Sequence, residues 1–160
     1  MPTPANPVPE RLHAVTPHLV IQGAARAIEF YKQAFGAEEI LRSASPDGGN
    51  VFHAEIQIGD SVVFLADEFP GTKMASPTTA GTTTVALNIY VADCDALFDR
   101  AVQAGGQALM PPAEMFWGDR YAQVMDPFGH IWAIATHKED VPPEEMFRRA
   151  QEFFAKAPGR

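Results

Sequence analysis

The stretch that decides the fold is residues 15–36, VTPHLVIQGAARAIEFYKQAFG, because its hydrophobic pattern changes from that of a strand to that of a helix. The first part, VTPHLVIQ, is rich in β-forming residues. The apolar residues that follow recur at helical spacing: Ala24, Ala27, Ile28, Tyr31 and Phe35. Gly36 comes next and suits the left-handed position that ends many helices. This stretch therefore predicts a strand followed directly by a helix.

The segments after Gly36 predict three further strands, and the second half of the chain repeats the plan. AEEILRSAS, VFHAEIQI and SVVFLADE are separated by turn signals, so the first half is β-α-β-β-β. The second half begins with TTTVALNIYV and continues into a helix that we expect Asp93 to cap. Gly36 and Gly105 lie 69 residues apart, and the turn glycines Gly59 and Gly129 lie 70 apart. This near-constant offset indicates an internal duplication.

The two ends of the chain differ from this repeat. Residues 1–11 contain four prolines and few groups to bury, so we predict a flexible proline-rich arm. Residues 12–140 are predicted to form one domain, with modules at about 15–70 and 82–138. Residues 141–160 predict a C-terminal amphipathic helix, whose apolar stripe we expect to be buried against the core or another subunit. That stripe consists of Met146, Phe147, Ala150, Phe153 and Phe154.

Composition excludes several classes of protein. The 160 residues are 46% hydrophobic, which is enough to bury a core, and carry a formal net charge of −8. Because phosphate neutralisation needs clustered basic residues, we expect no nucleic-acid partner. No apolar run approaches the length of a membrane span or a secretion signal, so we expect no membrane association and a cytoplasmic location. The single cysteine, Cys94, allows no internal disulfide.

Four segments taken together resemble a known family. VTPHLVIQGAARAIEFYKQAFGAE, HAEIQIGDSVVFLADE, FWGDRYAQVMDPFGHIWAIATH and EDVPPEEM are similar to the vicinal oxygen chelate superfamily, and most of all to its PhnB-like, glyoxalase-like branch. That superfamily includes glyoxalase I, bleomycin- and fosfomycin-resistance proteins and extradiol dioxygenases. The resemblance implies an α+β fold in which two βαβββ modules form a concave mixed-sheet cleft, usually in a homodimer.

The same resemblance implies four metal-ligand positions, on the first and last strand of each module. In this chain they fall at about Thr16, Phe64, Ala86 and Ala133, and a shift of two residues on the first strand would reach His18. Phenylalanine and alanine side chains have no lone pair for a divalent ion. We therefore expect no cofactor and no metal site of the family's usual kind.

His53 and Glu55 are the candidate catalytic residues. Period-two alternation puts them on one face of their strand, opposite Ala54 and Ile56. They suit a general base with an orienting carboxylate, or simply a polar face at the sheet periphery. His18 has the same parity on the first strand. A relocated metal site formed by His18, His53 and Glu55 is an alternative, although their strands are expected to lie about 10 Å apart with the fourth strand between them.

A second candidate segment is FWGDRY, residues 116–121. Trp117, Arg120 and Tyr121 combine a stacking surface, a bidentate cation and a phenol, and this mixture suits recognition of a flat or anionic organic ligand. The alternative is local structure, with an ordinary pair between Asp119 and Arg120 and with the aromatic rings in a dimer core. We expect His137 and the acidic turn at residues 67–68 to be surface features.

Three functions follow from these observations. The leading hypothesis is a small-molecule-binding protein of the glyoxalase or bleomycin-resistance type, without the family's usual metal and with a small organic ligand and a second copy of the chain as partners. Its candidate ligand-binding residues are His18, His53, Glu55, Trp117, Arg120 and Tyr121. The alternatives are a lyase, isomerase or dioxygenase with a relocated divalent metal, and a structural dimer whose cleft is filled by its own side chains.

Overall fold

The computed structural model describes residues 1–157. The chain divides into two compact units. Unit 1 contains residues 1–84 together with residues 127–130, and unit 2 contains residues 85–126 and the chain from residue 131 onward.

Unit 1 is built on a four-stranded mixed sheet. Its elements are β1 (His18–Ile21), α1 (Ala24–Phe35), β2 (Glu38–Ala44), β3 (Val51–Ile58), β4 (Ser61–Asp67) and the single-turn α2 (Pro77–Ala80). The strand order is β1-β4-β3-β2, in which β1 pairs with β4 in parallel and the other pairs are antiparallel. Since only a crossover through α1 separates β1 from the three later strands, this is the predicted βαβββ module.

Unit 2 repeats this topology. Its elements are β5 (Ala86–Tyr90), α3 (Cys94–Gln103), β6 (Gln107–Glu114), β7 (Asp119–Met125), β8 (Ile131–His137) and α4 (Pro143–Lys156). The strand order β5-β8-β7-β6 has the same parallel first pair and antiparallel remainder. The predicted α+β class, the two βαβββ modules and the C-terminal helix are thus confirmed.

Asp67 joins the core of unit 1 to the beginning of α1. Its Oδ1 accepts hydrogen bonds of 2.9 Å from the amides of Gly23 and Ala24, and its Oδ2 accepts one of 2.7 Å from the amide of Val51. Gly23, at the N-cap position, has no side chain to satisfy the first-turn amides of α1, so a carboxylate from β4 does so instead. The expectation that Asp67 is a surface residue is therefore wrong, because this carboxylate is buried.

In unit 2, two side chains accept hydrogen bonds from the first-turn amides of α3. The Oδ1 of Asp93 accepts a 3.0 Å hydrogen bond from the amide of Ala96, as predicted for the N-cap. The Oγ1 of Thr136, near the end of β8, accepts a 2.8 Å bond from the amide of Cys94. The Cys94 side chain is buried and its Sγ donates to the carbonyl of Ile134. Burial raises the pKa of this thiol, which keeps it protonated.

The C-terminal helix α4 keeps its apolar stripe accessible within this chain. None of its residues is buried, and Phe147 and Phe154 are 67% and 62% exposed. Phe116 contacts the stripe at Phe153, with ring centroids 5.3 Å apart. Within residues 1–157 the stripe is therefore not buried in the core, and its burial against a second subunit stays a prediction. No helix within residues 1–157 has the length and hydropathy needed to cross a membrane.

Candidate functional site

The first candidate site lies on the face of the unit 1 sheet opposite α1. Ala54 and Ile56 of β3 and Leu65 of β4 point toward α1 and are buried, so the alternate residues of each strand point the other way. His18 is paired with Phe64, and Phe64 is paired with Glu55, in one row across three strands. We call His18, His53, Glu55 and Phe64 the aromatic–carboxylate cluster.

The three rings of this cluster meet edge to face. The ring centroids of His53 and Phe64 are 4.9 Å apart, those of His18 and Phe64 are 6.3 Å apart, and those of the two histidines are 6.4 Å apart. Edge-to-face packing is favourable for aromatic rings, and it leaves both edges and faces of these three rings available for contact with a ligand. As predicted, β4 lies between β1 and β3, and the Phe64 ring occupies that position.

Glu55 supplies the charge of the cluster. Its side chain is buried, its Oε1 lies 3.3 Å from Nε2 of His53, and its Oε2 is bound by Nη1 of Arg11. The hydrogen bond from Arg11 is the largest influence on this carboxyl and holds its pKa below the usual range. Burial, followed by the nearby charge of His53, lowers the pKa of His18. The cluster therefore presents an ionised carboxylate beside a predominantly neutral His18 at neutral pH.

The second candidate site lies on the face of the unit 2 sheet opposite α3 and centres on Asp119. Its buried carboxylate accepts hydrogen bonds from Tyr90 Oη at 2.9 Å, from Trp117 Nε1 at 3.0 Å and from His137 Nδ1 at 2.8 Å. Burial works to raise the pKa of Asp119, but the three donors outweigh it and the net shift is downward. The ring of Tyr121 packs edge to face on Trp117, with centroids 5.3 Å apart.

Arg120 lies on the other face of the same sheet, so the structure does not bring it together with Trp117 and Tyr121. Its guanidinium forms a bidentate pair with Asp95 of α3, with Nη2 2.7 Å from Oδ1, and Nη1 is 3.5 Å from Glu114. The carboxylate next to it in sequence, Asp119, pairs instead with His137. The ion pair between Arg120 and Asp95 therefore links β7 to α3.

Tyr90 is a site residue that the sequence analysis did not name. We expected Asp119 to pair with Arg120 and His137 to be a surface residue, and the structure instead joins Asp119 to His137 and Tyr90. Strand alternation could have indicated Asp119: it lies two residues from Tyr121 on β7, and residues two apart on a strand lie on the same face. The pairing of Asp119 with His137 across β7 and β8 follows from the register, which the sequence did not provide.

In the second site, His137 lies between two carboxylates. Its Nε2 lies 2.8 Å from Asp140 and its Nδ1 lies 2.8 Å from Asp119, and these two carboxylates raise its pKa. A histidine with a raised pKa stabilises the fold most below about pH 6.5 and loses that contribution as the pH rises through the folded-state pKa. We therefore expect Asp140→Asn to lower the thermal unfolding temperature at pH 6 and to have little effect at pH 9.

The matched control is Asp60→Asn, which removes an exposed carboxylate from unit 1. It is expected to show no such difference between the two pH values. Equal effects of Asp140→Asn at pH 6 and pH 9 would contradict a role for charged His137.

The metal positions implied by the fold family do not fit a metal ion in this chain. Of the four positions, Thr16 precedes β1 and offers only a hydroxyl oxygen, whereas Phe64, Ala86 and Ala133 lie on β4, β5 and β8 and their side chains carry no donor atom. His18, which the two-residue shift reaches, is paired with Phe64 across β1 and β4. Within residues 1–157 no three His, Cys, Asp or Glu side chains are grouped so that they could hold a metal, and this includes the alternative set of His18, His53 and Glu55.

Unit 1 also contains an open cavity of about 400 Å³ near the beginning of α1, apart from the aromatic–carboxylate cluster. Gln22, Asn50, Glu68 and Thr79 are among its lining residues. Glu68 already accepts hydrogen bonds from Ser76 Oγ at 2.8 Å and from Thr79 Oγ1 at 2.7 Å. The Glu68 carboxylate in this cavity is therefore already bound by two hydroxyl groups.

The chain contains two βαβββ modules, and one face of each sheet carries polar and aromatic side chains. These features place it in the class of α+β proteins that are built from two such modules. Residues 11–134 match the Glyoxalase/Bleomycin resistance protein/Dioxygenase superfamily, and the chain belongs to this superfamily. The resemblance inferred from the sequence is thereby confirmed.

The chain is also similar to several individual proteins. The chain is 41% identical over 136 residues to Uncharacterized protein Mb0911c of Mycobacterium bovis, covering 83% of this chain and 89% of that protein. TioX from Micromonospora sp. ML1 is 28% identical, with a TM-score of 0.60 over 75% of this chain and 94% of TioX. The PhnB protein from Bacillus cereus, 19% identical, has the same fold, with a TM-score of 0.61 over 78% of this chain and 99% of that one.

Proposed function

We propose that this chain binds a small organic molecule at the aromatic–carboxylate cluster and that it does so without a metal at the family's ligand positions. The observation that carries the proposal is the buried, ionised Glu55 beside the rings of His53 and Phe64. Apolar and aromatic walls with one precisely placed polar group are typical of small-molecule sites.

The side chains at the metal-ligand positions that the family resemblance implies support the metal-free part of the proposal. On β4, Phe64 offers a ring at the position where the resemblance to metal-dependent members of the family implies a ligand. A ring at that position provides contact area for a flat ligand, and edge-to-face aromatic pairs contribute about 1 kcal/mol beyond their buried area.

The test uses benzamide, a neutral flat amide, as the probe. We expect isothermal titration calorimetry to give a dissociation constant in the millimolar range, as the size of the probe allows. Treatment with EDTA should not change it. Phe64→Ala should weaken binding about fivefold, through loss of roughly 1 kcal/mol of ring contact.

The matched control is Phe52→Ala, which removes an exposed phenylalanine from β3 on the opposite parity to His53 and Glu55. It should leave the affinity for benzamide unchanged. Equal binding by the Phe64→Ala variant, or failure of the wild-type protein to bind either benzamide or its cationic analogue benzamidine, would contradict the proposal and favour a structural role for the chain.

A second candidate function rests on the 3.3 Å contact between His53 Nε2 and Glu55 Oε1, because a histidine oriented by a carboxylate suits a general base. A related alternative is a metal-dependent lyase, isomerase or dioxygenase, in which His53 and Glu55 would bind a divalent metal together with His18. Elemental analysis of protein purified without chelator tests the metal-dependent form of this enzyme. Stoichiometric metal that is lost in His53→Ala would support the enzyme and contradict metal-free binding.

A second copy of the chain is part of the proposal. The accessible phenylalanines of α4, Phe147 and Phe154, support it, since exposed apolar stripes commonly mark protein interfaces. Native mass spectrometry is expected to show a dimer, and Phe147→Glu is expected to shift it toward the monomer. The cytoplasmic location stays a prediction from composition.

A further inference from the structure

The last residues of the predicted N-terminal arm contact the aromatic–carboxylate cluster. Residues 9–12 form a turn in which the amide of Leu12 donates a 3.0 Å hydrogen bond to the carbonyl of Pro9. Arg11 lies inside this turn, and its Nη1 binds Oε2 of Glu55, 44 residues further along the chain. The arm thereby delivers a guanidinium to the only carboxylate of the cluster.

The two partners of this ion pair differ in their surroundings. The Glu55 side chain is 7% exposed, whereas the Arg11 side chain is 47% exposed. A buried carboxylate without a cation is strongly unfavourable, so Glu55 requires a positively charged partner. An exposed arginine on a short turn has no comparable requirement, because water solvates its guanidinium well outside the site.

We propose that the cluster is a binding site for an organic cation, and that Arg11 is an internal competitor which such a ligand displaces from Glu55. This inference rests on the proposed function and assigns its ligand class. The ligand combines an amidinium, guanidinium or ammonium group for the Glu55 carboxylate with a flat ring that packs against Phe64 and His53.

Charge explains why the ligand is a cation. A neutral ligand that displaced Arg11 would leave Glu55 buried without a counter-charge. An anionic ligand would add repulsion by the Glu55 carboxylate at short range. Only a cation replaces the contact that Arg11 gives up, and a planar amidinium also matches the two oxygens of a carboxylate.

Competition by Arg11 reduces the apparent affinity by the fraction of molecules in which the site is free. Ion pairs with one exposed partner are modest, so the expected factor is about fivefold. Binding of a cation should therefore become tighter when Arg11 is removed, which is the opposite of the effect of deleting an ordinary contact residue.

The test compares benzamidine with benzamide, two probes of nearly the same shape that differ in charge. We expect calorimetry to show that Arg11→Gln binds benzamidine about fivefold more tightly than wild type, while benzamide affinity changes less than twofold. Arg11→Lys, which retains a cation on the turn, should resemble wild type. Arg148→Gln on α4 is the matched control for net charge, and it should leave both affinities unchanged.

Unchanged or weaker benzamidine binding in Arg11→Gln would overturn the inference. Glu55→Gln provides the converse measurement, because it should remove the preference for benzamidine over benzamide; a retained preference would also overturn it. Thermal unfolding of Glu55→Gln checks that this variant folds, and the Arg11 variants decide the matter if it does not.

The inference and the proposed function fail in different ways. Binding of benzamide that depends on Phe64, together with benzamidine binding that does not respond to Arg11, overturns only the cationic ligand and its internal competitor. Failure of both probes to bind wild type, Arg11→Gln and Arg11→Lys overturns the proposed function and the inference together.

Discussion

Replacing Asp67 by asparagine is expected to lower the free energy of unfolding by about 3 kcal/mol, since each buried donor left without a partner costs roughly 1–3 kcal/mol. The carboxylate accepts from three amides, those of Gly23, Ala24 and Val51. An asparagine has one oxygen to offer and turns its amide group toward at least one of these donors. Loss of the first-turn contacts of α1 adds to the cost.

Urea denaturation followed by circular dichroism measures this effect as a shift of the midpoint at constant slope. Glu68→Gln is the neighbouring control, because Glu68 accepts its hydrogen bonds from the side-chain hydroxyls of Ser76 and Thr79 and from no amide of α1. It should destabilise the protein much less. A loss below 1 kcal/mol for Asp67→Asn would show that Asp67 does not hold α1 to the sheet as described.

Gly118→Ala is expected to lower the free energy of unfolding by about 3–4 kcal/mol, which combines roughly 1–2 kcal/mol for a positive φ with up to 3 kcal/mol for overpacking. Gly118 has φ +100°, and a Cβ there would lie 2.2 Å from the carbonyl oxygen of Glu139. Its own carbonyl accepts hydrogen bonds from the amides of Lys138 and Glu139, so the two segments cannot separate without loss of these bonds.

Gly59→Ala separates the two contributions. Gly59 has φ +58° in the β3–β4 turn, but nothing lies within 4 Å of a Cβ added there. This variant should lose about 1 kcal/mol from backbone conformation alone. Tryptophan fluorescence gives a second measurement, because the displaced turn carries Trp117 away from Asp119. Equal losses in the two variants would contradict the predicted clash at Gly118.

The two βαβββ modules could be predicted because hydrophobic periodicity and turn glycines, which are patterns between residues close in sequence, specify their helices and strands. Gly36 has φ +67° at the end of α1, and its amide bonds to the carbonyl of Lys32, as its position after a helical pattern indicated. Strand parity placed His18, His53 and Glu55 on one face of the sheet, and the register agrees. The short α2 was not predicted, since a single turn has no hydrophobic period.

Contacts between distant residues were not predictable from the sequence alone. Arg11 and Glu55 are 44 residues apart, and Asp67 meets the amides of Gly23 and Ala24 from a similar separation. Each depends on where a turn or a strand end stands in three dimensions. Arg120 is a different case, because strand parity alone places it on the opposite face of β7 from Tyr121. The sequence pattern was therefore sufficient to separate these two residues.

The buried thiol of Cys94 makes this chain a convenient host for a single chemical label. Its sulfur is inside unit 2 and bonded to the carbonyl of Ile134, and its raised pKa keeps the reactive thiolate scarce. A maleimide dye would therefore react selectively with a cysteine introduced on the exposed arm, for example by Ala5→Cys. Fluorescence anisotropy of that dye would then report the tumbling of the arm as benzamidine is added, without removal of the native cysteine.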